Sequence, residues 1–121
     1  MDIADILFIA NEQNIKEAIR NNCKIYETDN RYRILRIFEN GKLNGFCVIS
    51  DYNGIRVLSE AHYIGTNKYI TIKMWKWATK DAKECRVSIL KNNIRMIDFF
   101  KRRNFKIVEE NEFSVFMQGR L

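Results

Sequence analysis

CRVSILKNNIRMIDFFKRRNFKIVEENEFSVFMQ, residues 85–118, reads as strand, helix, strand, strand with almost no slack between the parts. Cys85–Leu90 is a short β-branched and aliphatic run. Asn92–Asn104 is an amphipathic helix bracketed by asparagines. Phe105–Glu110 and Phe113–Gln118 are two strands joined by the polar turn Asn111–Glu112.

Upstream of this block, residues 69–84 carry Ile70, Met74, Trp77, Ala78 and Ala82 at helical spacing, which predicts a helix with one apolar stripe. Ile72, Trp75 and Thr79 add an offset stripe, while Lys73, Lys76, Lys80 and Lys83 stay outside or snorkel past the rings. Before that helix come Tyr32–Asn40, Asn44–Ser50 and Ile55–Ile64, separated by Asn40–Gly41 and by Asp51–Gly54. These are three strands of an antiparallel meander. Because a helix connects the third strand to Cys85–Leu90, those two strands run parallel, with a right-handed crossover. The expected architecture is an α/β fold: a mixed, mostly antiparallel central sheet flanked by helices on both faces.

The N-terminal stretch is less determined. Ile3, Ile6, Leu7 and Ala10 suit a helix and equally a first strand. Asn14 with Glu17 resembles a capping box opening a helix whose buried face is Ile15, Ala18 and Ile19.

At 121 residues, the chain fits one domain spanning 1–121, and 46% hydrophobic residues without a low-complexity tract exclude disorder. Proline is absent, so turns rest on Asn, Asp and Gly. A net charge of +6 favours an anionic partner, whether a CoA-type cofactor, nucleic acid or an acidic protein face, and equally serves plain solubility. Cys23, Cys47 and Cys85 have no CxxC spacing, which reads as free thiols in a reducing compartment. No signal-peptide pattern opens the chain and no apolar run approaches the ~18 residues of a membrane span. A cytoplasmic protein without membrane contact is expected.

One histidine and scattered cysteines give no metal-ligand spacing. Neither a G-x-S-x-G elbow nor a Walker-type G-x-x-x-x-G-K is present. The lysines from Lys73 to Lys83 beside Trp75 and Trp77, with Lys101-Arg102-Arg103, have the composition of a nucleic-acid footprint. Trp77 shares the stripe of Ile70 and Met74, however, and cations on the open face of a helix are normally just solvated. Nucleic acid is therefore not the expected partner.

From about Tyr32 to Gln118, the order of elements resembles the GNAT acyltransferase superfamily. The resemblance implies that acyl-CoA wedges between the third meander strand and the strand after the crossover. It also implies that the pyrophosphate lies on backbone amides at the start of the crossover helix, where the positive helix end receives anions. The family writes that start Q/R-x-x-G-x-G/A. Here it aligns with Thr66, Asn67, Lys68, Tyr69, Ile70 and Thr71, so Tyr69 and Thr71 replace both glycines. The family's N-x-x-A-x-x-x-Y becomes Asn93 to Phe100, and Asn104–Phe105 stands for its Gly–Phe, with Asn104 as a left-handed cap. Asn93 is thereby implied to contact the CoA arm. Phe100 takes the place of the tyrosine that protonates the leaving thiolate, and it has no proton to give.

The base of such a reaction is implied on the third meander strand, where Glu60 is the first candidate and His62 the second, on one face by period two. Asn67, Lys68, Tyr69, Ile70 and Thr71 are the implied pyrophosphate contacts. Two functions follow. One is an acyl-CoA-dependent N-acyltransferase using acetyl-CoA on an amine. The other is a catalytically silent GNAT-like binding or assembly module with a protein partner, as would suit a phage or mobile-element accessory protein. The oligomeric state is not legible.

Overall fold

The computed structural model describes Tyr26 and residues 29–121. The expectations for residues 2–22 and for Cys23 lie outside the described residues. The described part contains β1 (Arg33–Glu39), β2 (Lys42–Tyr52), β3 (Ile55–Tyr63), α1 (Lys68–Thr79), β4 (Glu84–Leu90), α2 (Ile94–Arg102), β5 (Lys106–Glu110) and β6 (Ser114–Arg120).

Both meander turns are made by an Asn-Gly pair. Asn40 and Gly41 have φ of 52° and 76°, and Asn53 and Gly54 have 52° and 79°. Two consecutive positive φ values are the type I′ signature, whose twist matches that of the strands it joins. One sheet results, in the order β1-β2-β3-β4-β6-β5. Neighbours are antiparallel except β3 and β4, which run parallel as the helical crossover requires. The terminal hairpin places β6 between β4 and β5, so β5 is a sheet edge.

The core has two sides. Cys47 and Ile49 of β2 face the main cluster, which takes Met74 and Ala78 from α1, Ile97, Phe99 and Phe100 from α2, and Val87 and Met117 from the sheet. Phe46 and Val48 alternate with them and form a second cluster with Tyr26, Tyr32 and Ile34. Five consecutive buried residues, Gly45–Ile49, show that β2 is covered on both faces. α1 and α2 pack on the first face, and the helical residue Tyr26 lies against the second.

Two element ends differ from those expected. The crossover helix ends at Thr79 and not at Glu84. Lys80 is extended and Asp81 has φ 61°, so Ala82 is not helical. The last turn is held instead by Arg56, whose Nη1 donates to the carbonyls of Ala78 (2.8 Å) and Lys80 (3.1 Å). The last strand runs on to Arg120. Trp75 and Trp77 are both half-buried against the main core, and the Trp75 ring lies 5.8 Å from that of Phe100. Trp75 is thus as much a core residue as Trp77. Asn104, with φ 65°, ends α2 in the expected left-handed conformation.

Among the described residues no helix is long and apolar enough to cross a membrane. None of their His, Cys, Asp and Glu side chains form a group that could hold a metal ion.

Candidate active site

The site begins with a single extra residue. Val48 pairs with Glu60 but Ile49 pairs with Leu58, so Ser59 bulges out of β3. A bulge bends its strand and increases its twist. β3 accordingly pairs with β4 at Arg56↔Cys85, Val57↔Arg86 and Leu58↔Val87, and no further. Past the bulge the two strands part.

The opening leads into a cleft of ≈ 480 Å³, part of it open to solvent, whose wall includes Leu58, Ala61, Met74, Val87 and Phe100. Glu60 also borders it, and among the described residues no other acidic residue does. The bulge also re-aims side chains. Leu58 shares the helix face with its partner Ile49, whereas Glu60 and His62 share the opposite face with their partners Val48 and Phe46. Glu60 and His62 share a face as period two expects, and the bulge puts that face opposite to Leu58.

Glu60 Oε1 and His62 Nε2 are 3.8 Å apart, close enough for charge coupling and too far for a hydrogen bond. The His62 ring stacks 5.2 Å from that of Phe46. Its Nε2 is buried without a hydrogen-bond partner among the described residues. Tyr26 stands over the same face. Burial first, and then the neighbouring Glu60 carboxylate, raise its hydroxyl above the ordinary tyrosine value.

The start of α1 is tied by several hydrogen bonds within the chain. Asn67 caps the helix, its side-chain oxygen accepting from the Tyr69 N–H at 3.0 Å. The Asn67 N–H donates to the Tyr63 hydroxyl (3.3 Å), and the Ile70 N–H to the Asn67 carbonyl (3.1 Å). Thr71 is fully buried, its hydroxyl donating to the Lys68 carbonyl at 2.8 Å. Lys68 is exposed, and Tyr69 is 75% exposed, its ring out in solvent.

Tyr63 anchors this turn from below. Its hydroxyl donates to Glu39 Oε1 at 2.8 Å, and the same oxygen accepts from Asn44 Nδ2 at 3.1 Å. Burial, followed by the Glu39 hydrogen bond, raises the Tyr63 pKa. Gly65 is required by this packing, since a Cβ there would lie 2.0 Å from the Tyr63 hydroxyl. Tyr63, Glu39 and Ser59 were not singled out in the sequence, and Gly65 was read only as a break after the third strand. The signal was present only in the pairing of a strand-end tyrosine with a glycine two residues on.

Asn93 sits between β4 and α2 as the cap of α2, its side-chain oxygen accepting from the Met96 N–H at 3.3 Å. Phe100 is buried, with the rings of Phe99 at 5.2 Å and Phe105 at 4.9 Å. Phe100 itself brings no hydroxyl to the cleft wall, where among the described residues Ser88 carries one. Cys47 and Cys85 are buried free thiols, each pushed up to about 12 by burial, and so are poor nucleophiles. Of the basic cluster after α2, Arg103 lies 3.4 Å over the Phe99 ring and donates to the Phe99 carbonyl.

No protein-family model and no curated protein matches the sequence. Solved structures do match. PaiA N-acetyltransferase from Thermoplasma acidophilum, in complex with coenzyme A, is 19% identical with a TM-score of 0.60, covering 93% of this chain and 81% of that one. An acetyltransferase from Thermus thermophilus is 12% identical with a TM-score of 0.62, covering 98% and 88%. Campylobacter jejuni N-acetyltransferase PseH, in complex with acetyl coenzyme A, is 12% identical with a TM-score of 0.53, covering 99% and 92%. Likeness at such identities speaks for architecture, and with the parted parallel strands it establishes that this chain has the GNAT acetyltransferase fold.

Proposed function

We propose that the protein is an acyl-CoA-dependent N-acyltransferase that moves an acetyl group onto an amine. The observation that carries this reading is the parting of β3 and β4 after Leu58, which opens an apolar cleft beside Glu60.

The arm end of coenzyme A suits this cleft. The facing edges of β3 beyond Leu58 and of β4 beyond Val87 have no strand partner in each other. Their backbone groups are available to the amides of a pantetheine arm, in the manner of an added strand. Asn93, at the mouth of α2, contributes its side-chain amide to the same arm. Bound there, the cofactor supplies an acetyl thioester. The nucleotide end suits the site less well. Asn67, Lys68, Tyr69, Ile70 and Thr71 line the start of α1, but the N–H groups of Asn67, Tyr69 and Ile70 already have acceptors in the chain.

Glu60 takes the proton of the attacking amine, and His62 beside it is the second basic group. Phe100 has no proton to donate, so the leaving sulfur is protonated by solvent. The test is acetylated product, detected by mass spectrometry after incubation with acetyl-CoA and a panel of amines. Glu60→Gln is expected to lower kcat by about 10²–10⁴-fold with KM little changed. Unchanged kcat in that variant would remove Glu60 from the role.

A second reading, a catalytically silent binding or assembly module, is favoured by the aromatic wall at Phe100 and the side chains at Tyr69 and Thr71. It predicts ligand or protein binding with no acetylated product from any amine.

A further inference from the structure

The two ends of the cleft make opposite demands on a donor. Between β3 and β4 the wall is apolar and open. At the start of α1 three of the backbone N–H groups that would receive a diphosphate, those of Asn67, Tyr69 and Ile70, are already answered from within the chain. The Asn67 side chain holds the Tyr69 N–H at 3.0 Å, the Tyr63 hydroxyl holds the Asn67 N–H at 3.3 Å, and the Asn67 carbonyl holds the Ile70 N–H at 3.1 Å.

Behind them stands an anion of the protein's own. The hydroxyl that accepts from Asn67 donates to the Glu39 carboxylate, which Asn44 also holds. A carboxylate near a helix N-terminus answers the positive end of that helix and repels a second anion arriving there. Tyr69 and Thr71 also carry side chains where close approach of a phosphate calls for none. Lys68, the cation of this loop, is exposed, so its attraction is screened by solvent.

We infer that this site recognises its acyl donor through the pantetheine arm and not through the nucleotide diphosphate. Thioesters of pantetheine or 4′-phosphopantetheine, free or carried on an acyl carrier protein, are then taken as readily as the CoA thioester. The inference rests on the acyl-transfer reading above and deepens it.

The experiment is isothermal titration of the full chain with coenzyme A, 4′-phosphopantetheine and pantetheine. Dissociation constants within about tenfold of one another, a difference of no more than ~1.4 kcal/mol, are expected. Coenzyme A binding more than about a hundredfold tighter than pantetheine would overturn the inference while sustaining the acyl-transfer reading. Failure of all three at millimolar concentration would overturn that reading itself. Glu39→Gln keeps an acceptor oxygen for Tyr63 and Asn44 and removes only the charge. It is expected to tighten coenzyme A several-fold at low salt and to leave pantetheine unchanged, and an equal effect on both ligands would contradict the account. Titration with the holo and apo forms of an acyl carrier protein separates the two sources. Binding of holo alone assigns the donor to a carrier protein, and binding of neither assigns it to the free thioester.

Discussion

Arg56 is the one charged side chain buried among the described residues. Its guanidinium meets Asp51 at 2.7 Å and the carbonyls of Ala78 and Lys80, so it closes the C-terminal end of α1 from β3. Charge-assisted bonds of this kind are worth more than neutral ones, and their loss leaves the carbonyls unmet. Arg56→Ala is expected to cost about 2–3 kcal/mol in urea unfolding. Asp51→Asn should cost less than about 1 kcal/mol, because that carboxylate is largely in solvent. The buried thiols act through pH. Cys47 and Cys85 keep their protons up to about 12 in the native state, whereas an unfolded cysteine loses its proton near ~8.5. With the native pKa raised, their contribution is fully present below ~8.5 and is lost as pH rises towards the native value. Urea midpoints measured from pH 8 to 11 should fall, and Cys47→Ala with Cys85→Ala should flatten that fall. An unaltered slope in the double variant would assign it to other groups.

At the scale of elements, the bulge in β3 does most to make a site. Ser59 lengthens β3 by one residue against β2, turns Glu60 and His62 away from the helices, and bends the strand off β4. Deletion of Ser59 leaves Leu58 opposite Ile49 and Glu60 opposite Val48 in regular alternation. The fold should therefore persist by circular dichroism, while β3 straightens onto β4 and the cleft narrows. Slowed hydrogen exchange at Ala61 and Tyr63, with loss of pantetheine binding, is the expected pair of readouts. Faster exchange there would mean that the bulge holds the strand in place rather than opening it. None of this was legible beforehand, because Ser59 has no side-chain property that marks a bulge. The Asn-Gly turns were legible, since few residues tolerate two successive positive φ values.

For the whole molecule, α1 and α2 close over one face of a six-stranded sheet whose strands part in the middle. The opening would otherwise expose core, so a ligand seated there should stabilise the native state. At a hundred times its dissociation constant a ligand adds about 2.7 kcal/mol. For a domain of this size that corresponds to a rise in melting temperature on the order of 10 °C. Differential scanning fluorimetry with acetyl-CoA, and with ATP as control, measures it. An equal shift with ATP would point to the exposed lysines instead of the cleft.

By itself the sequence determined the order of the strands and helices, the meander turns, the parallel pairing across the crossover and the apolar stripe of α1 through Met74 and Ala78. All of these follow from local periodicity and from residues such as Asn40, Gly41 and Asn104, whose backbone preferences act within a few positions. Tertiary structure alone decided that Arg56 stops α1, that Ser59 opens the sheet, and that Tyr63 and Glu39 fill the space beneath the α1 start. Each depends on where a residue distant in sequence comes to rest: Glu39 lies 24 positions from the hydroxyl it accepts from, and Arg56 lies 22 from Ala78. A hydrogen bond or a register shift at such range leaves no periodicity along the chain. It exists only after the sheet has formed.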